Sequence, residues 1–337
     1  MGHGERAVEG VAVSGLAGRA VFVTGGTGFI GSWLVARLLD LGARVTVLVL
    51  DHDPSSELIR TGRIGACRVV DGRLEEIDDV ERALLASEAE IVFHLGAQAL
   101  VIPALAAPLL TLEANVRGTY NLLEACRRHA KGLSAVVVAS SDKAYGDVPV
   151  LPYTEEMPVA GRHPYDVSKS CADLLARAYA HTYGLPVTVA RCGNVYGGGD
   201  LAWSRIVPGT IRSVLRGERP VIRSDGRYTR DYIHVDDVVD AYLSLALATG
   251  GAAGSGDVFN FAPGAPASVR EIVDLILAIL GREDLAPVVL DTARAEIRDQ
   301  ALDASRAGRV LGWESRVGLH EGLERTVRWY RAFLGTA

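Results

Sequence analysis

Cysteine is scarce in this chain of 337 residues. The four present, Cys67, Cys126, Cys171 and Cys192, form no C-x-x-C pair. A disulfide framework is therefore not expected, and free thiols in a reduced, cytoplasmic setting are. The eight histidines are scattered without an H-E-x-x-H pair, so no metal site is expected. Long apolar runs are also missing. The longest, residues 100–112, is broken by Pro103, Pro108 and small side chains, and it is too short to span a bilayer. Residues 1–18 carry Glu5, Arg6 and Glu9 but no apolar core of a signal peptide, and residues 1–17 read as a mobile tail. No run of lysine and arginine occurs. A net charge of -6 weighs against a nucleic-acid or anionic-membrane partner.

Glycine is plentiful, and three glycines open the most informative stretch. Residues 21–23 form a short apolar run. Gly25, Gly28 and Gly31 follow with G-x-x-G-x-x-G spacing, and a helix-favouring run covers 32–41. Strand, glycine turn and helix together put bare backbone N–H groups and a positive helix end at one point. A pyrophosphate can approach there, and this context lifts the pattern above a lone glycine motif. Gly25, Thr27, Gly28, Phe29, Ile30 and Gly31 are the candidate cofactor-binding residues of this turn. Residues 44–50 read as a strand buried on both faces. Asp51 stands at its tip, 20 residues after Gly31. A carboxylate there can accept both ribose hydroxyls of NAD and would repel a 2′-phosphate.

The alternation continues with strands at 67–70, 90–95, 136–139 and 187–191 and helices at 77–87, 111–129 and 164–183. That order predicts an α/β fold with a doubly wound parallel sheet of Rossmann type. Leu95, Gly96 and Ala97 end the fourth strand, where small residues let a cofactor lie against the backbone. His94, inside that strand, reads as a core histidine. Asn115 is a polar residue near the apolar face of its helix. Further on, helices are expected at 203–216, in the later part of 232–247, and at 268–280, 301–311 and 319–333. Short strands are expected at 220–224 and 257–262. Ser268, with Glu271 three residues later, reads as a capping box.

The candidate chemistry sits after the strand at 136–139. A polar cluster, Ser140 to Gly146, runs off its carboxyl end, where open α/β sheets place their sites. Tyr165 and Lys169 are four residues apart and share one helix face. A phenol has an unperturbed pKa of about 10 and is a poor base at neutral pH. An ammonium one turn away is expected to favour the phenolate. Tyr165 could then take a proton from a sugar hydroxyl while hydride leaves the same carbon, and Ser141 could hydrogen-bond the same oxygen. Cys171 reads as a buried helix thiol.

Residues 19–313 resemble the extended short-chain dehydrogenase/reductases of the nucleotide-sugar epimerase and dehydratase group. The resemblance rests on Gly25-Gly-Thr-Gly-Phe-Ile-Gly31, His94-Leu-Gly-Ala-Gln98, Asn115-Val-Arg-Gly-Thr119, Tyr165-x-x-x-Lys169, Arg191-Cys-Gly-Asn-Val-Tyr-Gly197 and Arg230-Asp-Tyr-Ile-His-Val-Asp-Asp237. It implies tightly held NAD and a Rossmann domain over 18–192, with 229–248 returning to it. It also implies a smaller C-terminal α/β domain for the nucleotide sugar, made of 193–228 and 249–337. A homodimer through the helices near 111–129 and 164–183 is implied as well. By family position, Asn194 would touch the substrate diphosphate and Arg230 would bind its phosphate, as a forked guanidinium can. An ion pair of Arg230 with Asp231 or Asp236 is the alternative. Gln98 and Arg205 are further substrate-binding candidates, and Arg223 and Arg298 weaker ones.

Ser141-Asp142-Lys143 is similar to the Thr-Asp-Glu of sugar-nucleotide 4,6-dehydratases, and Ser/Thr-Asp-Lys resembles the CDP-glucose enzymes in particular. Oxidation at C4 acidifies the C5 hydrogen. Asp142 and Lys143 could then serve as acid and base for loss of water, given a protonated Asp142 and a neutral Lys143. A surface ion pair is the plain alternative. Arg227-Tyr-Thr-Arg-Asp-Tyr232 looks more like an epimerase, and Arg73 stands where an acidic residue is common. The expectation is therefore an NAD-dependent 4,6-dehydratase, with a UDP-sugar 4-epimerase second and a non-catalytic NAD(H) sensor third.

Overall fold

Seven apolar segments build the central sheet of the computed structural model, which describes residues 13–129, 131–294 and 296–335. They are β1 (Ala20–Thr24), β2 (Arg44–Val49), β3 (Arg68–Asp71), β4 (Ile91–His94), β5 (Ala135–Ser141), β6 (Val187–Cys192) and β7 (Val258–Phe261). The spatial order is β7-β6-β5-β4-β1-β2-β3, and every pair is parallel. All residues of β1, β4, β6 and β7 are buried, because helices cover both faces. Within β1 the side chains alternate. Val21 and Val23 meet Leu34 and Leu38 of the helix Phe29–Asp40, together with Val238, Tyr242 and Leu245 of the helix Val235–Ala248. Phe22 faces the opposite core, with Leu84, Leu122 and Ala176 from the helices Ile77–Ser87, Gly118–His129 and Pro164–Tyr183. The strand order reverses between β1 and β4, which opens a crevice at the carboxyl ends of the strands.

The observed elements depart from expectation at several places. Most of the expected N-terminal tail, residues 1–12, lies outside the described residues. At its end, Val13–Leu16 forms a 3-10 turn, and Leu16 is fully buried in the core, so packing starts before residue 18. Two pieces of the stretch 249–337 return to the sheet. Val258–Phe261 pairs with β6 and covers what would otherwise be an open strand edge. The helix Ser305–Leu311 brings Ala307 into the same core, beside Trp313. The rest of the C-terminal part surrounds a separate core of Tyr196, Ile211, Ile272, Ile276, Leu323 and Tyr330. There the stretch 232–247 is helical in its later part, as expected, from Val235, and its first residues form a strand, Tyr232–His234, paired with Asn194–Tyr196. Ser268 and Glu271 do form a capping box. The helix expected at 111–129 starts earlier, at Pro108, and contains a π turn over Glu113–Arg117. Among the described residues no helix is long and apolar enough to cross a membrane.

Candidate active site

The turn between β1 and the helix Phe29–Asp40 is shaped by close backbone approach. Gly25 has φ +72°, and a Cβ on it would lie 2.6 Å from the Gly96 nitrogen. A Cβ on Gly31 would run into the Gly25 carbonyl. The helix begins at Gly28 with no side chain capping its N–H groups. Gly25, Gly28, Phe29, Ile30, Gly31, Leu95 and Ala97 line one end of a cavity of about 580 Å³. A narrow, uncapped, side-chain-free cradle fits a dinucleotide diphosphate.

Other predicted cofactor residues sit off the cavity wall. The Thr27 carbonyl accepts a hydrogen bond from Ser56 Oγ at 2.7 Å. Gly96 is packed beneath the wall and donates its N–H to Thr24 Oγ1 at 3.1 Å. Asp51 is exposed at the tip of β2. Gln98, a predicted substrate residue, instead braces its own loop. Its backbone is bound by Asn115, and its side-chain oxygen accepts from the Leu100 N–H. His94 bridges Thr24 and Thr119 at 2.8 and 3.0 Å, and burial pushes it down to about 3, so it is a neutral core histidine.

The opposite wall carries the polar chemistry. Tyr165 and Lys169 project from the helix Pro164–Tyr183, both buried and both lining the cavity with Ser141 and Lys143. Lys169 Nζ donates to the Ala139 carbonyl at 2.9 Å, and burial pushes its ammonium down to about 8. Burial pushes the Tyr165 phenol up to about 12, opposed by the Arg205 guanidinium and a hydrogen bond with Ser141. The Arg205 guanidinium thus favours the Tyr165 phenolate, and the Lys169 nitrogen is held by the sheet one helical turn away. Ser141 Oγ donates to Asp142 Oδ1 at 2.7 Å and accepts from the Lys143 N–H. Asp142 is buried behind this surface. Lys143 Nζ donates to Gln300 Oε1 at 3.1 Å. Burial pushes Lys143 below the ordinary lysine range; Asp142, Asp166 and Glu296 oppose this, and Arg230 adds to it.

At the substrate end, Asn194, Arg205, Arg223 and Arg230 all line the cavity. Arg230 donates to the carbonyls of Thr229 and Arg298, both at 2.7 Å, and to that of Ile297. Its nearest carboxylate is Glu296 at 4.0 Å. Neither foreseen partner is used: Asp231 accepts from the Ala265 and Leu302 N–H groups, and Asp236 pairs with Arg325. Arg205 reaches Asp200 at 3.3 Å, whereas Arg298 is exposed beside Asp299. The sequence reading missed Asp166, Glu296 and Gln300. Asp166 adjoins Tyr165 and was open to suspicion on that ground. Gln300 and Glu296 belong to no local motif and reach the site only through the tertiary fold. Arg191 is structural, bonded through two nitrogens to Asp173 at 2.7 and 2.8 Å and stacked over Tyr145.

A doubly wound sheet with a glycine cradle after β1, and a buried tyrosine and lysine beside a serine at the end of β5, defines a short-chain dehydrogenase/reductase type of enzyme. Residues 21–262 match the NAD dependent epimerase/dehydratase family, and the chain belongs to that family. It is 35% identical to a CDP-glucose 4,6-dehydratase of Salmonella typhimurium over 94% of this chain and 92% of that protein. Among solved structures, a UDP-glucose 4-epimerase of Thermotoga maritima, determined with UDP-glucose, aligns with TM-score 0.85 and 33% identity, covering 93% of this chain and 99% of that one. A dTDP-glucose 4,6-dehydratase of Streptomyces venezuelae, determined with NAD, aligns with TM-score 0.84 and 30% identity, covering 94% and 98%. The family, the fold and the NAD cofactor expected from the motifs are met.

Proposed function

We propose that the chain is an NAD-dependent nucleotide-sugar 4,6-dehydratase acting on a CDP-glucose-like substrate. The observation that carries this reading is Lys143, a half-buried amine on the cavity wall next to Ser141 and Asp142, with its protonated form disfavoured by desolvation. NAD, held at the cradle of Gly25, Gly28 and Gly31, would supply the hydride acceptor for C4 and the hydride donor for C6. Tyr165 takes the proton of the C4 hydroxyl, and Ser141 hydrogen-bonds the same oxygen. Once C4 is a ketone, Lys143 as the free amine removes the C5 proton. Asp142, bonded to Ser141 Oγ at 2.7 Å from behind the cavity wall, supplies through that hydroxyl the proton on which the C6 hydroxyl leaves as water, so one C–H and one C–O bond break as the C5–C6 double bond forms. Asn194, Arg205 and Arg230 hold the diphosphate end. The epimerase relatives and the Arg227–Tyr232 stretch favour the second reading, a 4-epimerase. The exposed Leu109, Leu110, Tyr120, Leu174 and Tyr183 support a homodimer through these helices, and four free cysteines support a cytoplasmic setting.

Mass spectrometry of reactions with CDP-glucose and the dTDP, UDP and GDP sugars tests this. The expected product is lighter by one water, with no net NADH. Lys143→Ala should reduce dehydration by about 10²-fold or more, the usual contribution of a general base. An isomer of unchanged mass, made equally well by Lys143→Ala, would establish the epimerase instead.

A further inference from the structure

We propose that Gln300 is a positioning residue for Lys143, a neutral acceptor that fixes the lysine nitrogen against the cavity wall in both of its protonation states. This rests on the dehydratase reading. The contact is Lys143 Nζ to Gln300 Oε1 at 3.1 Å, made across 157 positions of sequence. Both the ammonium and the free amine keep N–H groups, so the same oxygen can hold the nitrogen before and after a proton transfer. Gln300 is itself fixed: its side chain is buried, and its backbone N–H donates to the Thr229 carbonyl at 3.1 Å. Its Nε2 has no hydrogen-bond partner among the described residues. A buried amide left half-satisfied is destabilising, and an apolar side chain of the same size would avoid that cost. Packing alone therefore does not account for a glutamine here.

The surroundings explain why the partner is neutral. Lys143 is faced by Asp142 from its own turn, by Asp166 from the helix Pro164–Tyr183, by Arg230 from the strand Thr229–Arg230, and by Glu296 from the segment leading to Gln300. Three of these four favour the ammonium. A further carboxylate in direct contact would favour it more and would deplete the free amine near neutral pH. A carboxamide orients the nitrogen without adding that charge.

The chain contains three lysines, Lys131, Lys143 and Lys169. Titration of the ε-carbon signals of ¹³C-labelled lysine, in the full chain with NAD added, therefore reads Lys143 directly, and Lys143→Ala assigns its signal. Gln300→Glu should move the Lys143 midpoint upward by about one pH unit, and the acidic limb of the kcat profile for dehydration with it. Gln300→Met, which keeps the volume and removes the acceptor, should lower kcat about tenfold with KM little changed. A Lys143 midpoint unchanged in Gln300→Glu, or wild-type kcat and pH profile in Gln300→Met, would overturn the proposal. If wild-type protein releases water from none of the sugar nucleotides, the dehydratase reading fails, and the lysine titration still decides whether Gln300 governs Lys143.

Discussion

Lys169 is a cation held where water is excluded, and its protonation is tied to folding. Burial lowers its pKa from 10.5 to about 8, with one hydrogen bond to the Ala139 carbonyl in compensation. Between those two values the unfolded chain binds a proton that the folded chain does not, so stability rises with pH across that window. Below about pH 8 both states are protonated and the full cost is present. In urea denaturation, wild-type protein should gain on the order of 3 kcal/mol relative to Lys169→Met between pH 7 and 10.5. A difference that does not vary with pH would mean that the folded lysine keeps its ordinary pKa. At this scale the sequence was a good guide to residues whose position follows from local geometry. Tyr165 and Lys169 share a helix face by spacing alone, and Ser141 lies at a strand end. It was a poorer guide to side-chain direction. Gln98 sits near the predicted turn but points into its own loop, because motif spacing fixes a Cα and not a rotamer.

The π turn at Glu113–Arg117 governs how two elements of the site meet. One wider turn rotates Asn115 inward, where its oxygen accepts from the Gln98 N–H at 2.7 Å and its amide donates to the Gln98 carbonyl at 3.0 Å and Ser168 Oγ at 2.8 Å. A single side chain thereby ties the loop after β4 to the helix that carries Tyr165 and Lys169. Asn115→Ala should strand both polar groups of the Gln98 backbone, at a cost of about 2 kcal/mol in stability. It should also weaken NAD binding about tenfold, read by calorimetric titration, because Leu95 and Ala97 lose their brace. Unaltered affinity would show that the loop holds its shape without Asn115. The apolar periodicity at 111–129 announced a helix, but a one-residue widening leaves almost no trace in a 3.6-residue pattern. For a similar reason the strand at 257–262 was visible while its place beside β6 was not: alternation gives strand character, and the partner is chosen by long-range packing.

At the scale of the whole molecule, one group of exposed apolar side chains bears on assembly. Repeated βαβ units made the parallel sheet legible, because parallel neighbours need a long crossover connection and a helix supplies it. The late returns of β7 and Ser305–Leu311 were not legible, since β7 follows from the need to cover the β6 edge and Ser305–Leu311 from the need to cover the phenylalanines of β7. Among the apolar side chains that the fold leaves exposed, one group lies on adjoining helices. Leu109 and Leu110 are 68% and 66% exposed, and Leu174, Tyr183 and Tyr120 are also open to solvent. Scattered apolar residues are ordinary on a protein surface, but a cluster on packed helices is characteristic of an interface. In the proposed homodimer a second copy of the chain would meet the requirement that the covering surface be equally apolar, since a two-fold axis would set the patch against itself. Replacing Leu109 and Leu110 together by glutamate would place four carboxylates in that buried surface, which binding cannot neutralise. Sedimentation at micromolar concentration should then show a dimer for wild-type protein and a monomer for the double variant, with the far-UV dichroism of the two alike. The segment just before the patch supplies Val101 and Ile102 to the cavity wall. The monomer should accordingly bind nucleotide sugar more weakly while its glycine cradle still takes NAD. A wild-type protein that sediments as a monomer would remove the dimer, and with it this link between assembly and substrate binding.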